Sequence, residues 1–185
     1  VFLGDSITQN WEEAGAKIWT QFYGHRNAAN YGFGGDSTQH VLWRIENGEL
    51  DGLSPKLIVL LIGTNNLRHG DFTPAQIAGG IEAVLKRLGE KCPHSRVLLL
   101  GIFPRDNDSN GPLRRKGQEV NALLPALADG KRVFYLNINE TFLTPSGILS
   151  DKTAPDQLHL SARGYQLWAE AMEPSVVSLL QMPAP

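Results

Sequence analysis

Four unbroken apolar runs recur along the chain, and helical patterns separate them. The runs are VFLG (1–4), LIVLLIG (57–63), RVLLLGIF (96–103) and RVFYLNI (132–138). Each is rich in Val, Ile, Leu or aromatic residues and lacks polar alternation, which is typical of strands that are covered on both faces. Strands that alternate with helices favour a parallel sheet. The sequence therefore predicts an α/β protein, a three-layer α/β/α sandwich with a central parallel sheet.

The segments between the runs carry helix signals. The clearest begins at Thr73, which has the pattern of an N-cap, with Gln76 completing a capping box. Three further helices are predicted, one beginning at Asp36 or Ser37, one over 112–128 and one beginning at Ser161. Pro125 is expected to kink or end the helix over 112–128 because proline lacks the backbone N–H that a helix interior needs.

Length and composition limit the class of protein. The 185 residues are enough for one domain, which we expect to span 1–185. A formal net charge of −2 gives no electrostatic reason to expect a nucleic-acid partner. The longest apolar run, at 57–62, is too short for a membrane span, which needs about 20 residues. Because Val1 already falls inside a strand, we expect the natural chain to extend upstream, and the cellular compartment stays open.

Four polar or glycine-rich stretches lie where predicted strands end or helices begin. They are GDSIT (4–8), GFGGDST (32–38), GTNN (63–66) and DQLHLS (156–161). In open α/β sheets, ligands bind at the carboxyl ends of the strands. These stretches are therefore expected to meet at one edge of the sheet.

The residue types in these stretches match the needs of acyl transfer. A serine hydroxyl such as that of Ser6 becomes a nucleophile when an imidazole accepts its proton. Asp156 and His159 are three residues apart, so Asp156 can accept the Nδ1–H of His159 while Nε2 faces Ser6. The oxyanion formed by the attack needs N–H donors, and the candidates are the backbone of Ser6, the backbone of Gly35 and the amide of Asn65.

Each residue taken alone also has a structural interpretation. Ser6 can cap a helix, His159 can be a half-buried histidine at a helix entry, and Asn65 with Asn66 can form a turn. Their joint occurrence beside strand ends and helix starts, in the order Ser, Asp, His, favours catalysis.

Other polar residues are expected to be structural. The histidines at 25, 40, 69 and 94 show no metal-ligand spacing with one another or with Cys92, so no catalytic metal is predicted. The charged stretch LRRKG (113–117) is predicted to be a solvated helix face.

The four stretches resemble the four blocks of the SGNH (GDSL-type) hydrolase family, which is named for its Ser, Gly, Asn and His. Within that family, GGDSTQHVLWRIENGEL, GTNN and FPR (103–105) are most similar to the platelet-activating-factor acetylhydrolase Ib α-subunit group and its bacterial relatives. The resemblance implies a flavodoxin-like fold, hydrolysis of short acyl esters by a serine esterase, most of all acetyl esters, and no cofactor. A homodimer is implied by the resemblance alone.

The resemblance assigns a role to five residues. They are Ser6 as nucleophile, Gly35 and Asn65 as oxyanion donors, and Asp156 with His159 as the remainder of a catalytic triad. This agrees with the chemistry argued from the residues themselves.

Two apolar residues flank the proposed chemistry. Ile7 follows the nucleophile, replacing the leucine of GDSL, and Leu158 precedes the base. Both are predicted to border the acyl group of the substrate. The substrate is expected to be a small-molecule or glycan ester. Two alternatives stay open, namely a carbohydrate esterase that deacetylates polysaccharide with the same active-site residues, and a non-catalytic interaction subunit of the same fold.

Overall fold

A computed structural model describes residues 1–183 and contains a five-stranded sheet in which every pairing is parallel. The strands are β1 (Phe2–Gly4), β2 (Asn30–Gly32), β3 (Leu57–Leu61), β4 (Arg96–Leu100) and β5 (Val133–Leu136). Their order across the sheet is β2-β1-β3-β4-β5. The predicted α/β architecture is confirmed, and the order is that of a flavodoxin-like sheet.

Seven α-helices are described. They are α1 (Ser6–Gln9), α2 (Ala16–Phe22), α3 (Thr38–Glu46), α4 (Thr64–Arg68), α5 (Pro74–Lys91), α6 (Pro112–Leu123) and α7 (Ala162–Gln181). The capping box of α5 is confirmed, because the Gln76 N–H donates to Thr73 Oγ1 at 3.2 Å and the Thr73 N–H to Gln76 Oε1 at 2.8 Å. The predicted interruption at Pro125 is also confirmed, since α6 ends at Leu123 and a 3₁₀ turn follows.

Two hydrophobic clusters cover the two faces of the sheet. Val59 and Leu98 point into a cluster that contains the aromatic residues of α2 and α7, whereas Leu60 and Leu99 point into a cluster built with α3, α5 and α6. Every residue of β3 and β4 is buried. This two-sided burial explains why these strands are continuous apolar runs in the sequence.

Strand β2 was not predicted, and the charged stretch 113–117 differs from expectation. The sequence of β2 is only Asn-Tyr-Gly at the edge of the sheet. The prediction that 113–117 is a solvated face is wrong in part, because Arg114 is 4% exposed and Gly117 is buried.

Among residues 1–183, each helix is either too short or too polar to span a membrane.

Register places three loops side by side at the carboxyl edge of the sheet. Gly4 at the end of β1 pairs with Gly32 of β2 and with Leu61 of β3. The segments that follow these three positions therefore leave the sheet together. They carry Ser6, the glycine-rich turn at 33–36 and Asn65.

Candidate active site

Ser6 lies at a junction where β1 passes into α1 with one residue between them. That residue, Asp5, is the N-cap of α1, and its Oδ1 accepts the backbone N–H of Ile7 at 2.9 Å. A side chain on Gly4 would collide with Thr8 and with the carbonyl of Leu61, so the tight junction requires glycine. Because Asp5 performs the capping, the Ser6 hydroxyl is left free for another partner.

The partner of that hydroxyl is His159. Ser6 Oγ lies 2.9 Å from His159 Nε2, although 153 residues separate them in sequence. On the other side of the ring, His159 Nδ1 lies 2.6 Å from Asp156 Oδ2. The three side chains therefore form a continuous hydrogen-bonded chain from hydroxyl to carboxylate, the arrangement through which an imidazole can take a proton from serine.

The carboxylate of Asp156 is oriented by its own loop. Its Oδ1 accepts the backbone N–H groups of Leu158 at 3.0 Å and His159 at 2.7 Å. Burial acts to raise the pKa of Asp156, but these hydrogen bonds and the one from the His159 ring outweigh it and hold the pKa below its usual value. Asp156 is thus kept ionised beside the imidazole of His159.

Helix α7 holds the histidine loop against α1. Ser161 caps α7 by accepting the Gly164 N–H at 3.2 Å, and its own N–H donates to the carbonyl of Thr153 at 2.9 Å. One turn further, the buried Tyr165 hydroxyl donates to the carbonyl of Ile7 at 2.5 Å. This contact ties α7, which follows His159, to α1, which carries Ser6.

The candidate oxyanion donors come from the two loops beside Ser6. Asn65 Nδ2 donates to the carbonyl of Asp36 at 2.8 Å, which joins the Asn65 loop to the glycine-rich turn. An amide nitrogen has two hydrogens, so a second N–H of Asn65 remains. Gly35 is exposed and has a φ of +81°, in the left-handed region that favours glycine, and a side chain there would meet no atom within 4 Å. The backbone of Gly35 is therefore open to an approaching ligand.

The two apolar residues predicted to border the acyl group lie at different depths. Leu158 is half-buried and packs against the cluster that contains Trp168. Ile7 is 1% exposed and belongs to the core itself. In this conformation a substrate can therefore reach the side chain of Leu158 but hardly that of Ile7. The contact of each residue with an acyl group stays a prediction.

Sequence reasoning missed three buried charged residues near the site. Asp5 is 1% exposed, Arg105 is 5% exposed and Arg114 is 4% exposed. Burial raises the pKa of Asp5 to about 7, although the hydrogen bond from Ile7 and the nearby His159 act to lower it. Asp5 and Arg105 both lie inside stretches that carry the family resemblance, GDSIT and FPR, so that resemblance was the available signal for them.

The chain is similar over nearly its full length to two mammalian proteins. It is 41% identical over 181 residues to the platelet-activating factor acetylhydrolase IB subunit alpha1 of Homo sapiens, a match that covers 97% of this chain and 76% of that protein. It is 37% identical over 185 residues to the subunit alpha2 of Rattus norvegicus, covering 98% of this chain and 77% of that protein.

Solved structures share the fold. A GDSL-like lipase from Bacteroides thetaiotaomicron superposes with a TM-score of 0.80 at 20% identity, covering 96% of this chain and 86% of that one. An acetylxylan esterase from Geobacillus stearothermophilus gives 0.72 at 16% identity, covering 98% and 93%.

Family membership follows from the sequence matches. The GDSL-like lipase/acylhydrolase family matches residues 2–167, which is most of the chain. The resemblance noted from GDSIT, GFGGDST, GTNN and DQLHLS is thereby confirmed. The chain belongs to the GDSL-like lipase/acylhydrolase family of ester hydrolases.

Proposed function

We propose that this protein is a serine esterase that hydrolyses short-chain acyl esters, and acetyl esters best, through an acyl intermediate on Ser6. One observation carries the proposal. The Ser6 hydroxyl lies 2.9 Å from His159 Nε2, and His159 Nδ1 lies 2.6 Å from Asp156 Oδ2. The names of the mammalian relatives, which are acetylhydrolase subunits, support acetyl as the acyl group.

The reaction has two halves. In the first, His159 Nε2 accepts the Ser6 proton while Oγ attacks the ester carbonyl, and the resulting oxyanion is bound by N–H groups of Ser6, Gly35 and Asn65. The intermediate collapses, the alkoxide leaves with the proton from His159, and the acyl group stays on Ser6. In the second half, His159 takes a proton from water as the water oxygen attacks the acyl carbon. The bond from that carbon to Ser6 Oγ then breaks, His159 returns the proton to Oγ, and the acid is released.

Replacing the nucleophile tests the proposal. Ser6→Ala is expected to reduce hydrolysis of p-nitrophenyl acetate to the background rate, because the covalent step has no other nucleophile. Its folded state should persist, since Asp5 rather than Ser6 caps α1. Ser178→Ala, on the exposed far part of α7, is the matched control and should keep full activity.

The outcome also separates an enzyme from a binding module. Mass spectrometry of the wild-type protein after a rapid acid quench should find the acyl group on Ser6. A Ser6→Ala variant that retains wild-type turnover would refute the acyl-serine mechanism. A folded wild-type protein with no turnover on any short ester would favour the non-catalytic alternative.

A second candidate, removal of acetyl groups from polysaccharide, is favoured by one surface feature. Phe33 is 47% exposed on the same turn as Gly35, and the guanidinium of Arg44 lies 4.3 Å from the centre of its ring. Arg44 is itself held by Asp36 Oδ2, with its Nε at 2.9 Å. The ring is therefore held by Arg44 while nearly half of Phe33 stays exposed, and an exposed aromatic ring suits the apolar face of a sugar ring.

Two substrates distinguish this candidate. Phe33→Ala should lower kcat/KM for an acetylated xylo-oligosaccharide and leave p-nitrophenyl acetate unaffected, because only the glycan extends beyond the ester. Equal effects on both substrates would contradict a sugar-binding role for Phe33.

A further inference from the structure

The segment that follows β4 lies between the two loops of the site. It begins after Leu100 and includes Arg105 and Asp106, whose contacts point in two directions. The side chain of Arg105 contacts the loop that carries Asn65. The backbone of Asp106 contacts the loop that carries Asp156 and His159.

On the first side, Arg105 holds the beginning of α4. Its Nη1 donates to the carbonyl oxygen of Thr64 at 3.1 Å and lies 3.4 Å from Thr64 Oγ1. Both residues are almost fully buried, with Thr64 2% and Arg105 5% exposed. Thr64 directly precedes Asn65, so the guanidinium fixes the backbone from which the candidate oxyanion amide extends.

On the second side, the backbone of Asp106 holds the acid–base loop. The N–H of Asp106 donates to the carbonyl of Gln157 at 2.9 Å. Both residues have left-handed backbone angles, with φ of 61° for Asp106 and 64° for Gln157, which non-glycine residues adopt rarely. Gln157 directly follows Asp156, so this hydrogen bond fixes the loop that orients the imidazole of His159.

A second buried arginine holds the connecting segment in place. The Nε of Arg114 donates to the carbonyl of Arg105 at 2.8 Å, and its Nη2 to the carbonyl of Asp106 at 2.5 Å. Arg105 is thus anchored through its own backbone while its side chain reaches Thr64. Its Nε lies 3.8 Å from Asp106 Oδ1, so the same guanidinium that holds Thr64 also faces the residue that contacts the histidine loop.

We propose that Arg105 is a positioning residue that fixes the Asn65 amide relative to the Ser6–His159–Asp156 chain. The inference rests on the proposed esterase function. Oxyanion donors act because they are held in place before charge develops, and a displacement of about 1 Å can cost on the order of 100-fold in rate. Arg105 supplies that restraint through its hydrogen bond to the carbonyl of Thr64.

The test compares Arg105 with Arg96, a second buried arginine with the same exposed fraction. Arg105→Met is expected to lower kcat for p-nitrophenyl acetate by about 10- to 100-fold with KM changed little, because the loss falls on the transition state. Arg105→Lys should recover part of the rate, since it keeps the charge but loses the planar fork. Arg96→Met is the matched control, because Arg96 is also 5% exposed and donates to backbone carbonyls, but at the amino end of β4.

A double-mutant cycle shows whether Arg105 acts through Asn65. If it does, Arg105→Met should slow the Asn65→Ala variant much less than it slows the wild type, so the two losses do not multiply. If Arg105→Met fails to fold, the cycle is carried out with Arg105→Lys. Urea unfolding of each variant separates loss of stability from loss of rate.

Three results would overturn the inference. They are a kcat in Arg105→Met no lower than in Arg96→Met, an effect confined to KM, and losses that multiply fully with Asn65→Ala. If Ser6→Ala is inactive but the rate losses of Arg105→Met and Asn65→Ala multiply, the esterase function stands and only the role proposed for Arg105 fails. If Ser6→Ala is fully active, the proposed function fails first.

Discussion

Replacing Asp5, the buried carboxyl beside Ser6, should change how the stability of the protein depends on pH. Asp5 is 1% exposed, and burial raises its pKa from the usual 3.8 to about 7. Between these two values the folded protein keeps a proton on Asp5 that the unfolded chain has lost. Stability therefore falls as pH rises through this window, because the folded state binds more protons than the unfolded state.

The size of the effect follows from the width of the window. The interval from 3.8 to about 7 corresponds to ~4 kcal/mol, at about 1.4 kcal/mol for each pH unit. Asp5→Asn removes the titration while preserving the shape of the site. The Asn oxygen can still accept the Ile7 N–H, and its NH₂ replaces Oδ2, which has no hydrogen-bond partner among the described residues.

Urea unfolding at fixed ionic strength from pH 4 to pH 8 measures this prediction. The variant and the wild type should have similar free energies of unfolding near pH 4, and the variant should become the more stable by up to ~4 kcal/mol near pH 8. Asp129→Asn is the matched control, and its difference from the wild type should stay nearly constant across this range. Although burial acts to raise the pKa of Asp129, hydrogen bonds from Val133, Lys131 and Arg132 hold it below the usual 3.8, so the stability that it contributes is lost only as pH falls below that value. A difference between wild type and Asp5→Asn that stays constant across this range would refute the argument.

Three further predictions concern the reaction with p-nitrophenyl esters. Asn65→Ala should lower kcat by roughly 100- to 1,000-fold with little change in KM, and an effect on KM alone would instead make Asn65 a substrate-binding residue. Asp156→Asn should lower kcat by up to about 10⁴-fold, because His159 loses the carboxylate that orients it, and a rate near that of the wild type would contradict this role. The wild type should prefer acetyl esters over butyryl and octanoyl esters. Leu158→Ala should raise kcat/KM for butyryl relative to acetyl esters by about fourfold for each methylene that the site accepts. If this ratio does not change, Leu158 is not part of the acyl site.

The fold could be predicted wherever a strand is buried on both faces. Residues of β3 and β4 are covered by helices on each side, so their sequences are apolar without interruption. Strand β2 has no such pattern. It consists of three residues at the sheet edge, and its place depends on Gly32, where a side chain would collide with the backbone of Thr8 and Gln9. That requirement comes from a contact between distant segments, which local pattern does not record.

In the site, too, local motifs predict some residues, whereas others depend on contacts between distant segments. The positions of Ser6 and His159 follow from motifs at a strand end and a helix start, and the structure brings their side chains within 2.9 Å. The burial of Arg114 could not be predicted, because a charged stretch on an amphipathic helix is normally solvated. Its guanidinium is buried because the backbone of 105–106 turns two carbonyls toward it. Asp106 and Gln157 both adopt left-handed angles where this segment contacts the histidine loop, and neither angle is evident from residue type.

The short passage from β1 into α1 explains how one serine can supply both a hydroxyl and a backbone donor. The first N–H groups of a helix have no partner within the helix, and the side chain of an N-cap residue satisfies one of them. Here Asp5 takes the N–H of Ile7, the second helical residue, and leaves that of Ser6, the first. A serine one position earlier would be the cap itself, with its oxygen engaged by the backbone. Placing the serine directly after an aspartate cap therefore leaves its hydroxyl for His159 and leaves its N–H available to the oxyanion of the proposed reaction.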